Sequence, residues 1–143
     1  LQAMLAARDL PPADCRRILE HAAAQQDRME TVLTHSPVSD AFPVLSREEF
    51  ERYPPALPLS EMFFDRNLRY TYEEYCRHAE ETQAFAAAHS GYTVRPCDAA
   101  FRNISIAVRA GEWALVSKNG SPAIHFVIRY PKLRGAIEAF LCG

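Results

Sequence analysis

The 143 residues of this chain match one domain of ordinary size, with hydrophobic residues at 48% and charged residues at 24%. These proportions are typical of globular proteins and exclude disorder, and the apolar runs are far shorter than the roughly 20 residues that a bilayer requires. The formal net charge of −2 and the pI near 6.2 argue against direct DNA binding, which depends on an excess of lysine and arginine.

The cysteines point to a reducing compartment. Cys15, Cys76, Cys97 and Cys142 form no CxxC pair, and the sequence shows no signal-peptide pattern. We therefore expect reduced thiols in a cytoplasmic protein without a membrane partner. The first methionine is Met4 and the chain starts inside a predicted helix, so we also expect a fragment of a longer protein.

The first strong helix signal is Pro11-Pro12-Ala13-Asp14. Proline is tolerated in the first turn of a helix, where N–H groups have no partner, and aspartate favours the positive end of the helix dipole. Apolar residues then recur at helical spacing as far as Leu33. Pro37 requires the helix to have ended by about His35, and residues 29–34 are equally compatible with a short strand.

Residues 36–64 are rich in proline and are predicted to form an irregular wrap. The segment also carries too many large apolar side chains for a flexible linker, so we expect it to cover the core. Ser46 and Glu49 have the spacing of a capping box, which predicts a short helix that Pro54 ends.

A second capping box, Thr71 to Glu74, predicts the clearest helix, which runs to about His89 with Gly91 placed to end it. Its apolar and charged residues separate onto two sides, so we expect it to pack on the core. We interpret three tyrosines near its start as core and rim aromatics rather than as a ligand cage: Tyr70, Tyr72 and Tyr75.

After Gly91 the hydrophobic spacing changes from about 3.6 to 2, which predicts a sheet. The predicted strands are 92–95, 104–108, 112–117 and 123–128, joined by short turns. Pro131 then opens a closing helix. We therefore predict an α+β fold with a mainly antiparallel four-stranded meander and helices packed on one face, in a single domain over 1–143.

No motif for catalysis or metal binding is present. The histidines and cysteines lack HxxxH or CxxC spacing, and no GxSxG or phosphate-binding loop occurs. The Asn-Gly turn before Ser121 leads into a strand, whereas phosphate loops lead into a helix. We therefore predict no metal site, no cofactor and no enzyme.

Three residues are candidates for ligand binding: Arg109, Trp113 and His125. His125 interrupts an apolar strand, and Trp113 follows a glycine turn where it could line a pocket. Each has a structural alternative, which is a hydrogen-bonded histidine or a half-buried sheet aromatic. An enzyme would instead require a convergent pair in a pocket, such as His125 with Cys97 or with an acid.

A family resemblance covers about half of the chain. It rests on Tyr70–Tyr75, Phe101–Ile104, Trp113–Asn119 and Pro122–Leu133, with weaker similarity over Ala41–Val44. These segments resemble the C-terminal domain of long transcriptional regulators from Firmicutes that begin with a phage-repressor type helix-turn-helix.

The resemblance implies a regulatory domain that senses a small-molecule effector or forms a homo-oligomer. DNA would be reached only through a missing N-terminal domain. No ligand or catalytic residue is carried over. The alternatives are a ligand-free dimerisation or protein-interaction module and, third, a small-molecule enzyme. A polar-lined cavity would favour effector binding, and exposed apolar residues on the sheet would favour dimerisation.

Overall fold

The computed structural model describes residues 1–35, 37–55, 69–119 and 124–142. The chain divides into two compact units, Leu1–Ser36 and Pro37–Gly143. The first unit contains helices α1 (Gln2–Ala6) and α2 (Pro12–His35), so the strand considered for residues 29–34 is not formed. None of the described helices combines the length and apolarity of a membrane span. That residues 1–143 form a single domain stays a prediction.

The second unit is built on a five-stranded sheet. Its strands are β1 (Val38–Pro43), β2 (Tyr92–Cys97), β3 (Ile104–Arg109), β4 (Trp113–Lys118) and β5 (Ile124–Ile128). Their order across the sheet is β2-β1-β3-β4-β5, with β1 parallel to β2 and all other neighbours antiparallel. The α+β class is therefore confirmed. The predicted four-stranded meander is wrong, because the sheet has a fifth strand and one parallel pair.

Strand β1 accounts for both differences, and it lies in the segment predicted to be irregular. Its six residues do not alternate strictly between apolar and polar, and Pro43 stands at the strand end where its missing N–H is tolerated. The strand is inserted between β2 and β3 by long-range pairing, which the local pattern does not reveal. The irregular wrap is thus wrong for Val38–Pro43, and residues 56–64 of it lie outside the described residues.

The predicted helix starts are confirmed. Helix α3 (Arg47–Arg52) and helix α4 (Tyr72–Ala88) each begin with a complete capping box, in which the cap hydroxyl accepts from the N3 amide and a glutamate accepts from the cap amide. Helix α5 (Pro131–Cys142) starts at the predicted proline. A 3-10 turn, Ala99–Phe101, connects β2 to β3.

Helices cover both faces of the sheet, which corrects the prediction that they cover one. Helix α5 packs on the face of Ala41, Ile106, Val108 and Ala114 through Leu141. On the other face, helix α4 packs through aromatic pairs, with ring centroids 5.7 Å apart for Phe42 and Tyr75 and 5.4 Å apart for Phe85 and Tyr92. Neighbouring strand residues point to opposite faces, so β1 has an apolar residue on each side and needs two covers.

Candidate ligand-binding site

The three candidate residues from the sequence share one sheet face but not one site. Arg109 lies opposite Trp113 across the β3–β4 turn, and its Nη2 is 3.0 Å from Oε1 of Glu112. His125 lies opposite Ser117, with Nδ1 2.8 Å from the serine Oγ. Because Ser117 is four residues from Trp113 along β4, His125 is about 13 Å from the tryptophan. Their role in ligand binding stays a prediction.

The example pair for an enzyme, His125 with Cys97, is not formed. Cys97 belongs to β2 and His125 to β5, and these strands are opposite edges of the sheet with β1, β3 and β4 between them. At the spacing of hydrogen-bonded strands, the two residues are about 19 Å apart. Burial also raises the pKa of the Cys97 thiol, which disfavours the nucleophilic thiolate.

A cavity of about 240 Å³ lies on the α4 side of the sheet, within the second unit. The side chains that give it its chemistry come from β1, β2 and the start of α4: Asp40, Phe42, Tyr70, Tyr75, His78 and Tyr92. None of the three candidate residues from the sequence lines it. The described residues therefore form a polar and aromatic cavity that lies apart from the three candidates.

Asp40 is the most unusual group in this cavity. It occupies the middle of β1 and points to the α4 side of the sheet, between Val38 and Phe42 on the same face. The hydroxyl of Tyr92 on the neighbouring strand donates to its Oδ2 at 2.8 Å. Burial outweighs this hydrogen bond and raises the pKa of Asp40 from 3.8 to about 6. No cationic side chain of the described residues forms an ion pair with it.

His78 and Tyr70 form the wall opposite the strand. A hydrogen bond of 2.5 Å joins the Tyr70 hydroxyl to Nδ1 of His78, and the two rings are stacked with centroids 5.6 Å apart. Phe42 meets the same imidazole edge-on at 5.5 Å. Burial lowers the pKa of His78 and raises that of Tyr70, so both are uncharged at neutral pH.

Tyr75 fastens β1 to α4. Its hydroxyl donates to the carbonyl of Pro43 and accepts from the amide of Leu45 at 3.0 Å. The carbonyl belongs to the last residue of β1 and the amide lies two residues beyond it, so Tyr75 holds the end of the strand. Residues 75, 78 and 82 are spaced three and four apart, so α4 presents Tyr75, His78 and Thr82 on one face.

The remaining polar groups lie toward the β3–β4 side of the cavity. The Ser105 hydroxyl donates to Oδ1 of Asn119 at 3.0 Å. Arg102, which also lines the cavity, has its guanidinium over the Tyr53 ring at 4.8 Å and donates to the Ala99 carbonyl at 2.9 Å. The guanidinium is thus engaged by protein groups and not by Asp40.

The sequence predictions do not include Asp40, His78 or Tyr92. The available signal was an aspartate in a short segment bounded by the apolar residues Val38 and Phe42, because a charged residue is rarely buried. Tyr70 and Tyr75 were interpreted as core and rim aromatics. Both are buried, and they also line the cavity.

Comparison with known proteins adds no assignment. No family model, no curated protein and no solved structure matches the chain. Among the described residues, no three side chains of the metal-ligating types lie close enough together to hold a metal ion. The function must therefore be argued from the cavity and from the surface.

Proposed function

We propose that this chain is the regulatory domain of a bacterial transcriptional regulator and that it binds a small-molecule effector in the cavity between β1, β2 and α4. The family resemblance of residues 70–141 supports the regulatory role. The observation that carries effector binding is the Asp40 carboxylate, which is desolvated in an aromatic cavity and hydrogen-bonded to the Tyr92 phenol and the Ala41 backbone. A desolvated acid without a cation is costly to keep in a purely structural core.

The position of the cavity also suits a regulatory role. Its walls belong to a helix and to two strands that meet through side chains, with Tyr75 as the link between them. A ligand that contacts both walls would favour the conformation in which they are closest. Regulation requires such differential affinity for two states of the protein.

A thermal-shift screen of bacterial metabolites tests effector binding. A ligand present at a hundred times its dissociation constant adds about 2.7 kcal/mol of stability, so a true effector should raise the unfolding temperature clearly. The variant Thr82→Phe should abolish that shift, because Thr82 lines the cavity and a phenyl group there fills it.

The matched control is Gln83→Phe, which adds the same ring one residue further along α4 at an exposed position outside the cavity. It should keep the ligand-induced shift. A shift that persists in Thr82→Phe would place the ligand elsewhere, and a library with no stabilising compound would contradict effector binding in the cavity.

A second function, homodimerisation, is favoured by strand β5. Among the described strands it pairs with β4 alone, and it carries no charged side chain of the kind that protects natural sheet edges. The segment from β5 into α5 exposes five large apolar residues: Ile124, Phe126, Val127, Tyr130 and Leu133. Their exposed surface is ~600 Å² per copy, close to what each partner contributes to a standard interface.

The proposed partner is a second copy of this chain. Antiparallel pairing of two β5 strands about a two-fold axis through Phe126 would place that ring beside its own copy and Ile124 beside Ile128. The resulting contact would join two sheets into one. No carboxylate, lysine or arginine would be opposed to its own copy across it, because the strand contains none of them.

Sedimentation velocity over a concentration series tests this dimer. We expect a dimer for the natural chain and a monomer for Phe126→Lys, because lysine at a sheet edge opposes pairing. Val44→Lys is the control, since Val44 is 61% exposed and Phe126 is 59% exposed. A natural chain that is monomeric throughout, or equal dissociation by both variants, would count against pairing through β5.

A further inference from the structure

The charges around Asp40 define which ligands its cavity can accept. The permanently charged residue among the described lining is Arg102, and its guanidinium is held over Tyr53 and by the Ala99 carbonyl. Three further titratable groups line the cavity, Tyr70 just before helix α4 and Tyr75 and His78 within it, and burial shifts the pKa values of all three toward the neutral form. Apart from Arg102, the ionised carboxylate therefore faces neutral groups of the described lining.

Strand β2 contributes Tyr92 to the cavity, whereas its Arg95 lies in register with Ala41 on the opposite face of the sheet. Burial raises the pKa values of both Tyr92 and Cys97, so each keeps its proton. Asp98, which follows Cys97, is exposed and accepts from the Ala100 amide at 2.8 Å. Within the described lining, an anionic ligand would meet the charge of Asp40 with no cation other than Arg102, which Tyr53 and the Ala99 carbonyl already engage, whereas a cationic ligand would neutralise that charge.

The rings around the carboxylate also suit a cation. Tyr75 joins Phe42 and Tyr70 into one wall, with centroid distances of 5.7 and 6.3 Å. Tyr92 stands on the strand side, with its hydroxyl on Asp40. Aromatic faces attract organic cations, and they also pack against the apolar body of a ligand.

We propose that the cavity binds an organic ammonium ion whose nitrogen pairs with the Asp40 carboxylate while its apolar body packs against Phe42, Tyr70 and Tyr75. This inference rests on the proposed function and adds the chemical class of the ligand. The volume of about 240 Å³ sets the size. An apolar protein cavity of roughly 150 Å³ holds benzene, so a ring with one amino-methyl arm fits here.

Three probes of one shape test the proposal: benzylamine, benzyl alcohol and benzoate, whose head groups are cationic, neutral and anionic. Titrations of the full chain are followed by two-dimensional NMR at pH 8. We expect benzylamine to bind at least about tenfold more tightly than the other two, as a charge-assisted hydrogen bond in a desolvated site provides. Asp40→Asn should reduce the affinity for benzylamine to the affinity for benzyl alcohol.

The pH dependence gives a second readout. Benzylamine should bind about tenfold more weakly at pH 5 than at pH 8, because Asp40, with a pKa raised to about 6, takes up a proton in that interval. Protonation of His78 would repel the same cation. The variant Asp40→Asn distinguishes the two causes. If Asp40 is responsible, the variant loses the pH dependence of benzylamine binding, and if His78 is responsible, the variant keeps it.

Asp98→Asn is the matched control, because it makes the same substitution at an exposed carboxylate outside the cavity lining. It should bind all three probes like the natural chain. Equal affinities for the three probes, or tightest binding of benzoate, would overturn the ammonium class and leave the cavity as a binding site. Absence of chemical-shift changes with every probe would overturn both the ammonium class and the cavity as the effector site.

Discussion

Asp40→Asn should stabilise the chain at pH 8 by about 1–3 kcal/mol, although it removes a hydrogen-bonded acid. Burial outweighs the Tyr92 hydrogen bond and raises the pKa of Asp40 from 3.8 to about 6, so folding disfavours the ionised form. Asparagine keeps an oxygen that accepts from Tyr92 and carries no charge. The lower end of the range allows for an amide N–H group that finds no partner.

The stabilisation should depend on pH in one direction. Well below the unfolded pKa of 3.8 the acid is protonated in both folded and unfolded chains and makes no difference. As the pH rises from there to about 6 the unfolded chain ionises first, so the natural chain loses stability. Above about pH 6 the difference between the natural chain and Asp40→Asn approaches its full value. Denaturant unfolding at pH 4, where a small part of the difference is present, and at pH 8, where nearly all of it is, measures the change.

Asp98→Asn serves as the control for this measurement as well. Asp98 caps the 3-10 turn through the Ala100 amide, and asparagine caps about as well as aspartate, so we expect a change below about 0.5 kcal/mol. A loss of stability for Asp40→Asn at pH 8, or a gain of equal size at pH 4, would show that the acid is not held at a raised pKa.

The expected gain matters for function because the natural residue is the less stable choice. An acid that weakens the fold near neutral pH, and whose replacement by asparagine needs no repacking, is more easily understood as a binding group than as a structural one. Tyr75 differs in this respect. Its hydroxyl satisfies two backbone groups, so its role in the cavity wall is explained by stability alone.

The sequence predicted the elements whose signals are local. Both capping boxes, the turn beside Gly111, and the alternation of β3 and β4 can be read within a few residues. The Asn-Gly turn predicted before β5 includes residues 120–122, which lie outside the described residues. Strand β1 could not be assigned in this way. It is six residues long between prolines, and its partners lie more than fifty residues further along the chain, as Val38 with Tyr92.

The cavity was hidden for the same physical reason. Asp40 and Tyr92 are 52 residues apart, and their hydrogen bond exists only because β1 inserts beside β2. Because β1 was interpreted as irregular, Asp40 could not be assigned to a face of the sheet or to neighbouring residues. His125 and Trp113 were selected because they lie in strands that the sequence pattern identifies. Prediction from local sequence thus favours residues in strands and helices with strong local signals over residues in elements that form by long-range pairing.

The face on which α5 packs provides the second large effect, Ile106→Ala. Ile106 is 6% exposed in the central part of the sheet and belongs to the cluster with Val108, Ala114 and Leu141. Truncating it removes three carbon atoms and leaves a cavity beneath α5, so we expect a loss of about 2–5 kcal/mol in the free energy of unfolding. Denaturant unfolding at pH 8 measures it.

The same substitution at the edge of the sheet, Ile124→Ala, separates packing from strand propensity. Ile124 lies on the same face as Ile106, since it pairs with Lys118, which pairs with Ile104, but it is 43% exposed. Because fewer neighbours surround it, we expect a loss below about 1 kcal/mol in the monomer. Similar losses of stability at both positions would mean that α5 does not bury the centre of the sheet. If Ile124→Ala is costly only at concentrations where the chain is dimeric, the difference belongs to the β5 interface, because interface residues stabilise by mass action.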